Sequence, residues 1–174
     1  MSHERTVAPM RLCFLGCGQV ARAHAGRVRG LGRNVVTSFA SRSPEKAREF
    51  AARHGGAAAY GSYAEAIASP DVDVVAIVTP PDSHLDLAVA ALDSGKDVIL
   101  EKPPVLRSVD LGMLERAARE RGRFVYVAEN YYYKPVLAAV RDAIAKGAIG
   151  DPLFILLNAV KRQRTSGWRD EAAL

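Results

Sequence analysis

Along the first 130 residues, short apolar runs alternate with segments whose apolar positions recur at helical spacing. The runs at residues 11–15, 34–40, 72–78, 97–100 and 124–128 are rich in Val, Ile, Leu and Phe and short enough for strands. Helices are expected between them. Residues 21–31 follow a glycine turn, residues 44–53 open on Ser-Pro-Glu with proline in the first turn, and residues 81–92 and 108–120 start on suitable residues too. A brief strand at 57–60 and a short helix at 63–68 fill the remaining gap. The run "VDVVAIVT" does not alternate, which marks a strand buried on both faces, as in a parallel sheet covered by crossover helices. The expected fold is therefore α/β, a doubly wound parallel sheet of the dinucleotide-binding type, over residues 1–130. Residues 131–174 read as a connecting helix at 135–146, closed by Gly147, and a strand at 153–160 that the completed parallel sheet has no place for. That strand is expected to open a second domain, and to recruit another chain through its unpaired edge.

Composition narrows the class. A chain of 174 residues with 49% apolar content builds one well-cored domain and is short for two. The net charge of +5 arises from 24 basic residues against 19 acidic ones, scattered rather than in blocks and not interleaved with aromatic residues. This favours small anions, phosphates included, over nucleic acid. Cys13 and Cys17 have no second pair and no histidine at ligand spacing, so buried thiols in a reducing compartment are expected, with no metal site. The opening "MSHERTVAPM" lacks the apolar segment of a secretory leader, and no run approaches membrane-spanning length. A cytoplasmic protein with no membrane partner is the expectation.

The candidate chemistry begins at Gly16-Cys17-Gly18-Gln19-Val20-Ala21, between the first strand and the first helix. Gly16 permits a tight turn, Gly18 lets the backbone approach a pyrophosphate, and the small Ala21 lets the helix pack closely on the strand. The phosphates would then meet amide groups of Gly18, Gln19 and Val20 at the positive end of the helix. After the second strand, where a site selecting NAD carries a carboxylate, the chain reads Ser41-Arg42-Ser43. A guanidinium flanked by hydroxyls suits a 2′-phosphate, so NADP is expected, with NAD as the alternative. The competing reading leaves Arg42 in solvent and makes Ser43 simply the cap of the next helix. Two further groups stand at the carboxyl ends of neighbouring strands. Thr79-Pro80-Pro81-Asp82-Ser83-His84 is stiffened by its prolines, and His84 is expected to hydrogen-bond a neighbouring loop rather than act in catalysis. Glu101-Lys102-Pro103 projects a primary amine toward the ligand crevice.

The ordered set "GCGQVA", "SRS", "TPPDSH", "SGKDVILEKP" and "GWRD" resembles the glucose-fructose oxidoreductase, inositol dehydrogenase and MocA family of nicotinamide-dependent dehydrogenases, from about Met10 to Leu174. The resemblance implies a Rossmann domain followed by a larger α+β domain that forms the substrate pocket and often mediates homo-oligomers. It implies that Lys102 is the catalytic amine beside the nicotinamide and the reacting oxygen, that Thr79 and Pro80 line the nicotinamide ribose, that His84 belongs to the same cofactor-binding group, and that Glu101 fixes the loop. In such proteins Gly167-Trp168-Arg169 would lead into a glycine-rich stretch and then acid-base residues that neither His54 nor His84 represents. The expectation is the cofactor-binding portion of an NAD(P)-dependent oxidoreductase acting on a sugar or polyol, inactive without its substrate domain. The alternative is a non-catalytic dinucleotide-binding module or sensor.

Overall fold

The computed structural model describes residues 8–158. Its elements are β1 (Met10–Leu15), α1 (Gln19–Val28), β2 (Val35–Ala40), α2 (Pro44–His54), β3 (Ala58–Tyr60), α3 (Tyr63–Ala68), β4 (Val74–Ile77), α4 (His84–Asp93), β5 (Asp97–Leu100), α5 (Ser108–Arg121), β6 (Val125–Val127) and α6 (Pro135–Ala145). The six strands form one sheet in the order β3-β2-β1-β4-β5-β6, and every pair is parallel. Winding runs outward from β1 in one direction and from β4 in the other. The carboxyl ends of β1 and β4 therefore flank the crevice where doubly wound sheets bind ligands.

Side-chain alternation explains why the strands read as continuous apolar runs. Cys13, Leu15, Val75, Ile77, Val98 and Leu100 belong to the core on one face, while Leu12, Phe14, Phe39, Val74 and Ala76 belong to the core on the other. Phe14 stacks on Phe39 with ring centroids 5.4 Å apart, and Phe39 meets the edge of Phe50 at 5.0 Å, which fixes α2 on the sheet.

Several boundaries differ from the periodicity. The first helix begins at Gln19 and ends at Val28, after which Arg29–Asn34 continue as a tighter 3-10 turn in which Gly32 adopts a positive φ of 58°. Two glycines in six residues, Gly30 and Gly32, weaken the α-helix there. Helix α4 begins at His84 rather than at Pro81, because Pro81–Ser83 form a 3-10 turn with Ser83 N donating to the Pro80 carbonyl. β4 is shorter than 72–78; at its start Asp73 turns its carboxylate onto the Arg11 amide and guanidinium. The strand expected at 153–160 is corrected. Residues 153–158 carry no strand and enter no ladder, apolar content alone not sufficing to make one, and residues 159 and 160 lie outside the described range.

The chain divides between Ala128 and Glu129 into two compact units. The first holds the whole sheet and α1 to α5. In the second, α6 follows a turn in which the Lys134 ammonium lies 3.4 Å from the Tyr131 ring centroid.

Candidate functional site

The glycine turn after β1 lies at the seam between β1 and β4. Gly16 has a φ of +112° and donates its N–H to the Ala40 carbonyl at 3.0 Å. A Cβ at Gly16 would stand 3.3 Å from the Val78 carbonyl oxygen and 3.4 Å from Thr79 Cγ2, so the turn closes directly on the chain leaving β4. Gly18 is different. Its backbone is extended, with φ −99° and ψ −165°, and a Cβ there would meet nothing within 4 Å. Gly18 is also the N-cap of α1, and no side chain caps that helix, whereas Ser43 and Ser62 cap α2 and α3. Ala21 is fully buried, as a helix packed closely on its strand needs. The turn combines open space, a helix amino end without a side-chain cap, and a glycine whose Cβ would project into that space, which together suit a phosphate group. Cys17, between the two glycines, points inward with its Sγ 3.6 Å from the Ala40 carbonyl, and burial pushes its pKa up.

At the end of β2, Ser41 is buried and its hydroxyl accepts the Ser43 N–H at 3.2 Å. Ser43 in turn accepts the Lys46 N–H at 3.3 Å, so its hydroxyl is used as the α2 cap. Arg42 is exposed and lies beside Tyr63, the first residue of α3; the half-buried Tyr63 hydroxyl has its pKa raised by desolvation, opposed by the charge and hydrogen bond of Arg42. Lys46 reaches the same corner, where its charge opposes the rise at Cys17. Two cations, a phenol and two serines thus gather where the glycine turn meets the second strand, with the Glu45 carboxylate accepting from the Ser43 hydroxyl at 3.3 Å.

The groups after β4 and β5 are tied together by backbone contacts. The Ser83 hydroxyl shares its one proton between Thr79 Oγ1 at 2.7 Å and the Pro80 carbonyl at 2.8 Å. His84 is 1% exposed, with Nδ1 2.9 Å from the Pro103 carbonyl and Nε2 3.0 Å from the Thr79 carbonyl. Carbonyls only accept, so a neutral ring satisfies one of these contacts and an imidazolium both. Either way the ring braces the Thr79 chain against the Lys102-Pro103 loop and offers no free edge to a ligand. Lys102 is exposed, and its ammonium makes no hydrogen bond or ion pair among the described residues.

Glu101 completes the arrangement. Its Oε1 accepts from His24 Nε2 at 2.8 Å and its Oε2 accepts from the Lys102 N–H at 3.1 Å. The hydrogen bond from His24 is the largest cause holding the Glu101 carboxyl below the usual range, ahead of the opposing desolvation. The pair borders a cavity of about 80 Å³ walled by Leu12, Phe14, Ala76 and Ile99. His24, Tyr63 and Lys46 were not singled out in the sequence. For His24 the available signal was its place on α1, one turn after the small Ala21 and just before the small Ala25, which puts it beside the inward face of the helix. Among the described residues no group of three metal-ligating side chains converges, and no helix is long and apolar enough to cross a membrane.

Residues 10–129 match the profile of the oxidoreductase family described by its NAD-binding Rossmann fold. The chain is 39% identical over 152 residues to a dTDP-3,4-didehydro-2,6-dideoxy-α-D-glucose 3-reductase of Streptomyces violaceoruber, covering 86% of this chain and 44% of that protein. It is 35% identical over 163 residues to a 1,5-anhydro-D-fructose reductase of Ensifer adhaerens, covering 91% and 48%. Among solved structures, an NAD-binding oxidoreductase from Klebsiella pneumoniae superimposes with a TM-score of 0.77 at 31% identity, covering 83% of this chain and 41% of that one. A 3-ketoreductase from Actinomadura kijaniata, in complex with TDP-benzene and NADP, superimposes with a TM-score of 0.74 at 30% identity, covering 82% and 45%. The chain spans less than half the length of each of these proteins.

Proposed function

The chain belongs to this family of NAD(P)-dependent oxidoreductases, and on that premise we propose that residues 1–130 bind NADP in preference to NAD, while residues 131–174 begin a domain for a sugar or polyol substrate. The observation that carries the reading is the β1 turn, with Gly16 pressed on the chain after β4 and Gly18 open and without a side-chain cap, beside an end of β2 where Arg42 stands in sequence in place of a carboxylate and the Glu45 carboxylate is turned to Ser43 and Arg48. The pyrophosphate is assigned to the backbone of Gly18, Gln19 and Val20 at the start of α1. Arg42 is assigned to the 2′-phosphate, with Lys46 as a second cation and Ser41 and Ser43 shaping the corner. A 2′-phosphate adds two charges that this basic corner receives and that an NAD-selecting carboxylate would repel. The bound nicotinamide supplies or accepts the hydride.

The chain's own residues orient that transfer. Thr79 and Pro80, held by Ser83 and His84, form the wall along the nicotinamide ribose. Lys102, whose ammonium makes no hydrogen bond or ion pair among the described residues and feels the nearby Glu101 charge, donates a hydrogen bond to the reacting oxygen and holds the proton that accompanies carbonyl reduction. The sugar reductases among the relatives support a sugar or polyol as the substrate class. Two free buried thiols, Cys13 and Cys17, support work in a reducing compartment such as the cytoplasm. Leu153, Phe154 and Ile155, at least 77% exposed, support association into a homo-oligomer.

The test is nuclear magnetic resonance on the chain with its lysines reductively ¹³C-methylated, titrated with NADP and with adenosine 2′,5′-bisphosphate, which has no nicotinamide. The reading expects the Lys102 signal, assigned by Lys102→Arg, to move with NADP only. A Lys102 signal that ignores NADP, or moves equally with both, contradicts its place at the nicotinamide.

A further inference from the structure

We infer that His24 is a positioning residue for Lys102: by holding Glu101 toward α1, it keeps the Glu101 carboxylate on the Lys102 peptide and out of a direct ion pair with the Lys102 ammonium. The inference rests on the reading of Lys102 as the amine at the reacting oxygen.

A glutamate directly before a lysine has two competing partners. It can accept from the next peptide N–H, or it can swing out and pair with the neighbouring ammonium, which would occupy the amine and draw it from the crevice. Here the first arrangement holds, with Oε2 on the Lys102 N–H at 3.1 Å. What selects it is the other oxygen, because Oε1 is taken by His24 Nε2 at 2.8 Å across 77 residues of sequence. The Glu101 side chain is only 16% exposed and the His24 side chain 35%, so this contact is not one of the fully solvated pairs that contribute almost nothing. On one side the pair faces the small, largely apolar cavity walled by Leu12, Phe14 and Ile99. Glu101 therefore has a fixed acceptor geometry, and the peptide that carries Lys102 is fixed with it. His24 also belongs to the helix whose amino end is assigned to the pyrophosphate. One side chain thus sets the spacing between the phosphate end of the cofactor site and the amine.

The experiment is hydrogen exchange of individual amides in the full chain, without cofactor or substrate, for wild type, His24→Leu, His24→Ala and His24→Gln. Glutamine places an N–H donor at nearly the reach of Nε2, whereas leucine and alanine place none. His24→Leu and His24→Ala should each speed exchange of the Lys102 amide by about tenfold or more, the loss expected for a hydrogen bond to a charged acceptor. His24→Gln should return it to within about threefold of wild type. The Val98 amide, bonded to the Phe124 carbonyl inside the sheet, is the control and should not change. The inference is overturned if Lys102 exchange is unaltered in the leucine and alanine variants, if glutamine does not restore it, or if Val98 speeds up in parallel, which would make His24 a general stabiliser of the fold. Because no cofactor enters the measurement, its failure is distinct from a failure of the NADP titration of Lys102.

Discussion

Gly16 and Gly18 stand two residues apart in one turn, yet valine at the two positions should fail in opposite ways. At Gly16 the backbone has a φ of +112°, which side chains rarely adopt, and a new Cβ would lie 3.3 Å from the Val78 carbonyl oxygen, a backbone atom of the chain leaving β4. Backbone strain of this kind costs about 1–3 kcal/mol. At roughly 2–4 °C per kcal/mol for a domain of this size, Gly16→Val should melt about 2–12 °C below wild type, with the contact on Val78 pushing it to the upper end. At Gly18 the backbone is extended and the space beyond is empty, so the only cost to the fold is the poorer N-cap, about 0.5–1 kcal/mol and hence roughly 1–4 °C. Binding should respond in reverse. The Gly18 side chain would project into the space assigned to the pyrophosphate, and losing two amide hydrogen bonds to a charged acceptor, each about 1.5–3 kcal/mol, weakens affinity by roughly 10² to 10⁴-fold. Thermal melting without ligand and fluorescence titration with NADPH read the two effects separately. The reasoning is refuted if Gly18→Val binds NADPH within about fivefold of wild type, or if it melts as low as Gly16→Val.

Acid should destabilise the domain over a defined window. Arg11 holds the Asp73 carboxyl below its usual range, Arg107 does the same for Asp110, and His24 for Glu101. Each group binds fewer protons folded than unfolded, so its contribution is present above the unfolded carboxyl values near 4 and is lost as pH falls through the lower folded values. The melting temperature should fall between about pH 4.5 and pH 3, less steeply in Asp73→Asn; a flat profile down to pH 3 would show these contacts to be idle. Burial pushes the Cys13 thiol up to about 12 and raises that of Cys17 as well. Iodoacetamide at pH 8 should therefore leave both unmodified in the native protein and alkylate both in denaturant, as counted by mass spectrometry. Rapid native alkylation of Cys17 would place its sulfur outside the core.

The parallel sheet was legible because its strands are apolar on both faces: no polar residue interrupts "VVAIV" from Val74 to Val78, and the structure divides those residues between two cores. Gly16 and Ala21 were legible because a positive φ and close packing restrict the residue types that fit there. His24 and Glu101 were not legible as a pair, since the register of α1 over β5 brings them together and no local pattern records it. Tyr63 and Lys46 looked like ordinary helix-start residues. Only the pairing of β2 with β3 carries α3 back beside Arg42. The segment after residue 152 misled because apolar content signals a capacity to pair, while strand formation depends on an edge to pair with.

The central claim, that this corner of the sheet holds NADP by its 2′-phosphate, is tested most directly by calorimetric titration of wild type and Arg42→Ala with NADP and with NAD. The account predicts that wild type binds NADP at least about tenfold more tightly, and that Arg42→Ala weakens NADP by about ten- to a hundredfold, the equivalent of 1.5–3 kcal/mol, while NAD changes by less than about threefold. Equal losses for the two cofactors, or a wild type that binds NAD the more tightly, would contradict it.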